Sequence, residues 1–103
     1  MTIIRQDDFT QSIADAFQYI SCYHPKDYIE ALYQAYLHEE SPAAKDAMAQ
    51  ILINSRMCAE GRRPICQDTG IAVVFLKVGM KVQWDSTLSV QEMVNEGVRR
   101  AYN

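Results

Sequence analysis

The chain has 103 residues and a formal net charge of −3, and 49% of its residues are hydrophobic while 22% are charged. This length suits one domain, and this composition is typical of a globular protein, not of a disordered or repetitive chain. The acidic balance offers no basic field to a nucleic acid, and no apolar run approaches the roughly 20 residues of a membrane-spanning helix. We therefore expect one unit that binds neither nucleic acid nor a membrane.

Residues 1–60 are predicted to be helical, because apolar side chains recur there at spacings of three and four. The three apolar stripes are Phe9, Ile13, Ala16, Phe17, Ile20; Ile29, Leu32, Tyr33, Tyr36, Leu37; and Ala44, Met48, Ile51, Ser55, Cys58. Asp7–Asp8 precede the first stripe and are expected to cap it. Pro25 and Pro42 are expected to begin the second and third helices, and Gly61 to end the third.

The helical pattern stops at residues 61–70, which are predicted to form an ordered loop. Residues 71–84 then favour a strand or hairpin. Ile71–Val78 is rich in β-branched and aromatic side chains, and Lys81–Trp84 can form a second short strand. Both faces of the first strand are apolar, so we expect it to be covered on both sides.

A final helix is predicted over residues 88–103, because Ser89 and Glu92 have the spacing of a capping box. The predicted fold class is therefore mainly α with a small β element (α+β): a helical layer, a loop, an apolar strand or hairpin, and a last helix. A strand with so few partners is marginal in water. We expect the chain to be a fragment of a larger fold; a small complete protein with a frayed last helix is the alternative.

Three cysteines, Cys22, Cys58 and Cys66, form an odd set that cannot pair completely within one chain. The first residues show no basic region followed by an apolar stretch, so we predict no secretory signal. Reduced thiols and a cytoplasmic location are therefore expected. The cysteines match no zinc spacing and form no Cys-x-x-Cys motif. Each thiol is either a small buried side chain or a metal ligand.

The loop concentrates polar chemistry in consecutive positions. A thiol, an amide, a carboxylate and a hydroxyl are supplied by Cys66, Gln67, Asp68 and Thr69. Binding sites often form on such loops, but Asp-Thr-Gly is also typical of an ordinary turn, and the residues alone favour the turn slightly. Arg62 and Arg63 either attract an anion or form a solvated basic pair at the helix end.

The octapeptide Arg63–Gly70, RPICQDTG, resembles the signature loop of the class I, iron–sulfur-dependent fumarate hydratases. Iron-dependent tartrate dehydratase α chains share this loop. The resemblance extends to Ala59–Arg63 before it, to Gly70–Val78 after it, and to Asn95–Tyr102. It covers roughly the last sixty residues, and an octapeptide of this kind is far more specific than a bare cysteine.

The resemblance implies a role for each polar residue of the loop. Cys66 would be one of three protein ligands of a [4Fe-4S] cluster in the full-length enzyme. The other two ligands do not match Cys22 or Cys58, which are expected to be structural, so the cluster is expected to be absent from this chain alone. Gln67 and Asp68 would bind a dicarboxylate substrate, and Asp68 would also transfer a proton.

The resemblance therefore predicts the N-terminal part of a cytoplasmic hydro-lyase of the tricarboxylic acid cycle that reversibly hydrates fumarate to L-malate. Its expected partners are the remainder of the enzyme or a second subunit, in a homo-oligomer, and this chain alone is expected to be inactive. One alternative is an L-tartrate dehydratase α chain. Another is a non-catalytic helical interaction module whose apolar strand docks a partner.

Overall fold

The structure is a computed structural model that describes residues 1–65 and 71–103. Within these ranges the elements are β1 (Thr2–Arg5), α1 (Gln6–Cys22), α2 (Lys26–His38), α3 (Pro42–Gly61), β2 (Val82–Asp85) and α4 (Val90–Ala101). The chain is thus mainly helical with a small β element, as the sequence predicts. None of the helices in these ranges has the length and hydropathy needed to cross a membrane.

The described residues form two compact units. The first unit contains residues 1–18 and the described residues 71–103, and the second contains residues 19–65. The division falls inside α1, so this helix contributes its beginning to the first unit and its end to the second.

A two-stranded parallel sheet organises the first unit. β1 pairs with β2 in a register that places Ile4 opposite Trp84. The ring of Phe9, in the first turn of α1, lies 5.1 Å from the ring of Trp84, centroid to centroid. The side-chain oxygen Oε1 of Gln6 accepts a hydrogen bond of 2.9 Å from the backbone N–H of Thr87. These contacts join the start of α1 to the segment that leads into α4.

The core of the first unit lies between α1 and α4. Its buried side chains are Phe9, Thr10, Ala14 and Phe17 from α1, and Met93 from α4. Phe9 and Phe17 of the predicted stripe are therefore confirmed as core residues, whereas Ala16 and Ile20 are exposed. The buried face of α1 is therefore rotated away from Ala16 and Ile20 and towards Ala14, since the side chains of a helix are distributed around its axis at 3.6 residues per turn.

In the second unit, α2 and α3 pack against each other. Ser41 is the N-cap of α3, and its side chain accepts a hydrogen bond from the backbone N–H of Ala44. Ser55 and Cys58 are the buried residues of α3, whereas Ile51 of the same predicted stripe is exposed. The stripe of α2 contributes no fully buried side chain.

Several predicted helix boundaries shift by one or two residues. Asp7–Asp8 lie inside the first turn of α1 instead of before it, since the helix begins at Gln6. Pro25 is the N-cap of α2 and not its first helical residue. Gly61 is still helical, and Arg62 adopts the left-handed conformation that ends α3, with φ of 51°. The capping box of Ser89 and Glu92 is confirmed.

The predicted strand over Ile71–Val78 is wrong: this stretch forms no strand in the structure. Its side chains are largely exposed in this chain, and Phe75 is 94% exposed. The cover expected on both faces would have to come from the rest of the larger fold. β-Branched residues favour a strand only where neighbouring strands are available to pack against. Here β2, which overlaps the second predicted strand and extends one residue beyond it, pairs with β1, in the part predicted to be helical. The predicted hairpin is therefore replaced by a parallel pair.

Candidate functional site

The residues predicted to carry the chemistry, Cys66, Gln67 and Asp68, lie outside the described residues, as do Thr69 and Gly70. Their predicted roles stay predictions. The structure does describe the chain that leads into them, Arg62 to Ile65, and the helices that hold it.

The end of α3 fixes the direction in which the chain approaches Cys66. The backbone N–H groups of Arg62 and Arg63 both point to the carbonyl oxygen of Cys58, and the bond from Arg63 is 2.9 Å. This satisfies a carbonyl that the last helical turn would otherwise leave unpaired. Two residues later, the N–H of Ile65 donates a hydrogen bond of 2.7 Å to the carbonyl oxygen of Ser21.

Two buried side chains help to hold the segment of residues 63–65 in place within the second unit. Ile65 is 7% exposed and Cys58 is 6% exposed, so both belong to the core of this unit. The Cys58 thiol lies 3.5 Å from the carbonyl oxygen of Pro64 and 3.7 Å from Oδ1 of Asn54. The burial of Cys58 confirms that it lies on the inner face of α3, as its place on the apolar stripe predicts. Cys22, the other free cysteine in the described residues, is half-buried.

A histidine and a serine meet at the same end of α3, a pair that the sequence analysis did not identify. Nδ1 of His24 lies 2.8 Å from Oγ of Ser55, and the His24 ring lies tilted against the ring of Tyr28, with 4.8 Å between the ring centroids. Ser55 is buried, and its place on the apolar stripe of α3 was the signal available in the sequence. Among the described residues, no three His, Cys, Asp or Glu side chains come close enough to hold a metal ion.

The basic residues near the end of α4 are paired within their own helix. Arg99 donates hydrogen bonds from Nε and Nη2 to Glu96, at 2.8 and 2.6 Å, and Nε of Arg100 lies 3.3 Å from the same carboxylate. The hydrogen bonds from Arg99 lower the pKa of Glu96 to about 2, and Arg100 acts in the same direction. These guanidinium groups therefore have a carboxylate partner already.

A groove of about 490 Å³ lies between α4 and the segment of residues 72–76 in the first unit. Its walls are mostly alanine, valine and leucine side chains, with Gln91 and Asn95 as the polar groups. A dicarboxylate requires cationic or multiple hydrogen-bond donors. Among the described residues no cationic side chain lines the groove, so this part of its lining does not suit such a substrate.

Comparison with known proteins supports the interpretation of the octapeptide. The profile of the family described as "Fumarate hydratase (Fumerase)" matches residues 10–103. A curated relative from Methanocaldococcus jannaschii, named "Putative L(+)-tartrate dehydratase subunit alpha", is 34% identical over 89 residues. The match covers 86% of this chain and 31% of the relative, so the chain spans about a third of that protein's length. No solved structure matches the chain. By the family profile and this identity, the chain belongs to the fumarate hydratase family.

Proposed function

We propose that this chain forms part of a hydro-lyase that reversibly adds water to fumarate and gives L-malate. The observation that carries the proposal is the family match over residues 10–103, which includes the octapeptide Arg63–Gly70. The catalytic unit would comprise this chain together with the remainder of the enzyme or a second subunit. The name of the relative, a subunit alpha, is consistent with such a partner.

The donor chemistry of Cys66 fits one ligand of a [4Fe-4S] cluster, because thiolates are the usual ligands of iron–sulfur clusters. The described residues bring no three ligand side chains together, so they do not complete the set. Cys66 would therefore hold one corner, with the remaining ligands supplied from outside the described residues. When bound, a cluster with an open iron supplies a Lewis acid for the substrate hydroxyl and carboxylate.

The chain's own polar residues have separate tasks in this proposal. The side-chain amide of Gln67 would donate a hydrogen bond to a substrate carboxylate and orient the carbon–carbon double bond. The carboxylate of Asp68 would accept or return the proton that accompanies the addition or loss of water. Gln67 and Asp68 lie two and three residues after Ile65 in the sequence, and Ile65 itself is held by its buried side chain and by its N–H bond to Ser21.

A second candidate is the dehydration of L(+)-tartrate, and the name of the curated relative favours it. Both reactions add water to, or remove it from, a four-carbon dicarboxylate. The same ligand, carboxylate donor and proton-transfer group would therefore serve either substrate. The two candidates differ in the second hydroxyl of tartrate, which needs one more polar contact.

The test is an assay of the complete enzyme, reconstituted anaerobically with iron and sulfide. Fumarate, L-malate and L(+)-tartrate are each offered to the wild type, to Cys66→Ser, and to Cys22→Ser as the matched control. We expect Cys66→Ser to lose both bound iron and turnover, whereas Cys22→Ser keeps both. Turnover of tartrate alone would select the second candidate. Full iron content and activity in Cys66→Ser would refute the proposed role of this residue.

A non-catalytic interaction module would give another result. In that case neither the wild type nor any variant would bind iron or turn over any of the three dicarboxylates, although the chain would still associate with its partner. The chain alone is expected to be colourless and inactive, since a single thiolate does not hold a four-iron cluster.

A further inference from the structure

Three consecutive residues before Cys66, all in the second unit, each make a hydrogen bond to another residue of that unit. The N–H of Arg63 donates to the carbonyl oxygen of Cys58 at 2.9 Å, and the N–H of Ile65 donates to the carbonyl oxygen of Ser21 at 2.7 Å. Between them, the carbonyl oxygen of Pro64 lies 3.5 Å from the thiol of Cys58. This run of bonds is unusual for a loop, whose backbone groups are mostly solvated.

Of these three hydrogen bonds, only the one to Pro64 comes from a side chain, which is the thiol of Cys58. It lies in the last turns of α3 and is 6% exposed, so its position is set by the packing of the helix. The Sγ atom is also 3.7 Å from Oδ1 of Asn54, one turn earlier, and one S–H proton serves only one acceptor at a time. The contact with the carbonyl oxygen of Pro64 is the shorter of the two.

We infer that Cys58 is a positioning residue for the segment of residues 63–65, which directly precedes Cys66 in the sequence. By donating to the carbonyl of Pro64, its thiol holds the backbone against α3, so that Ile65 stays buried and bonded to Ser21. The proposed ligand Cys66 directly follows Ile65 in the sequence. This inference rests on the proposed function for its purpose, but the contact itself is a property of the chain without any cofactor.

The test is amide hydrogen exchange of the chain without cofactor, followed at Ile65 by NMR. In the wild type we expect the Ile65 amide to exchange more slowly than a free loop amide, because it is bonded to Ser21 and buried. In Cys58→Ala, Pro64 loses its donor, and we expect exchange at Ile65 to rise about fivefold, as for one modest hydrogen bond. Amides in the middle of α3 should change much less than that of Ile65.

Two further variants separate the hydrogen bond from the packing. Cys58→Ser keeps a donor and creates a similar loss of volume, so exchange at Ile65 should lie between the wild type and Cys58→Ala. Cys22→Ala removes the half-buried thiol that follows Ser21 in the sequence and leaves the Ser21 carbonyl in place, so exchange at Ile65 should not change. Equal exchange in Cys58→Ser and Cys58→Ala would overturn the inference, and so would an unprotected Ile65 amide in the wild type. None of these results depends on turnover, so failure of the proposed activity remains a separate outcome.

Discussion

Gly97 of α4 lies so close to Ile13 of α1 that a Cβ atom at position 97 would come within 2.6 Å of the Ile13 Cβ. The same atom would lie 2.8 Å from the backbone oxygen of Thr10, which cannot rotate away. Glycine thus allows the two helices of the first unit to approach until Met93 is completely buried between elements of that unit. The close approach gives a packing reason for a glycine in the segment that resembles the family.

Gly97→Ala is expected to destabilise the chain by about 1–3 kcal/mol in spite of the better helix propensity of alanine. The added methyl group has to displace either Ile13 or the backbone of α1. Gly79→Ala is the matched control, because a Cβ there meets no atom within 4 Å. Urea denaturation of both variants measures the difference. A Gly97→Ala variant as stable as the wild type would show that α1 and α4 can separate at little cost.

Thr10 presents a hydroxyl that lacks a hydrogen-bond partner among the described residues, although it is 1% exposed. Thr10→Val keeps the shape of the side chain and removes the unsatisfied oxygen. We expect its free energy of unfolding to be unchanged or raised by about 1 kcal/mol. Ser55→Ala is the contrasting variant, because the buried Ser55 hydroxyl is bonded to His24, and its loss should cost about 1 kcal/mol. A marked loss of stability in Thr10→Val would show that the hydroxyl has a partner.

The lowered pKa of Glu96 predicts how the stability of α4 depends on pH. Hydrogen bonds from Arg99, and then from Arg100, lower this pKa to about 2, whereas an unfolded chain would have a value of about 4.3. Between these two values the unfolded state binds more protons than the folded state. The contribution of Glu96 is therefore complete above pH ~4.3 and is lost as the pH falls towards 2.

Glu96→Gln should flatten the fall in unfolding free energy between about pH 4.3 and 2. At neutral pH the effect should be small, since exposed ion pairs contribute little. Glu30→Gln, on the exposed side of α2, controls for the change in net charge. Denaturation curves at a series of pH values provide the measurement. The same slope in wild type and Glu96→Gln would mean that the carboxylate does not keep its arginine partners in solution.

What the sequence predicts well here is local. The capping box of Ser89 and Glu92 is closed within one helical turn, and its spacing is visible in the sequence. The parallel pairing of β1 with β2 is not visible, because each strand is short and its partner lies at the other end of the chain. The apolar run Ile71–Val78 led to a wrong strand prediction for the same reason. Strand formation depends on a neighbouring strand and not on composition alone.

The candidate site likewise has local features that the sequence predicts and long-range contacts that it does not. Cys66 is proposed as a cluster ligand because it lies in a specific octapeptide, which is recognised by the types and the order of its side chains. The anchors of that octapeptide could not be predicted, because Ser21 and Ile65 are distant in sequence and meet through backbone atoms, which have no signature of their own. Cys58 was correctly predicted to be buried, but its contact with Pro64 depends on the left-handed residue Arg62, which turns the chain back along α3.

The exposed apolar segment of residues 71–78 predicts that the chain by itself associates at high concentration. Phe75 is 94% exposed, and an exposed apolar segment of this kind tends to associate with a copy of itself. Phe75→Lys should shift the chain towards monomer in light scattering. Ile53→Lys is the control, because Ile53 is an exposed apolar residue on α3, away from this segment in the sequence. Monomer at every concentration in the wild type would contradict the prediction.

Asp68→Asn tests whether the loop carboxylate moves a proton or only shapes a turn. The substitution keeps the size of the side chain and its ability to accept hydrogen bonds, but it removes the charge and the proton-accepting oxygen. In the complete reconstituted enzyme, we expect iron content to equal that of the wild type, because Cys66 is intact. Turnover should fall about 10²-fold or more, as expected for a lost general acid–base group.

Gln67→Glu offers a comparison with Asp68→Asn. It replaces the proposed hydrogen-bond donor to the substrate carboxylate by a group of like charge, so it should raise KM for the dicarboxylate more than it lowers kcat. Near wild-type turnover in Asp68→Asn would assign this residue to the turn alone. Iron loss in the same variant would instead place its carboxylate among the groups that hold the cluster.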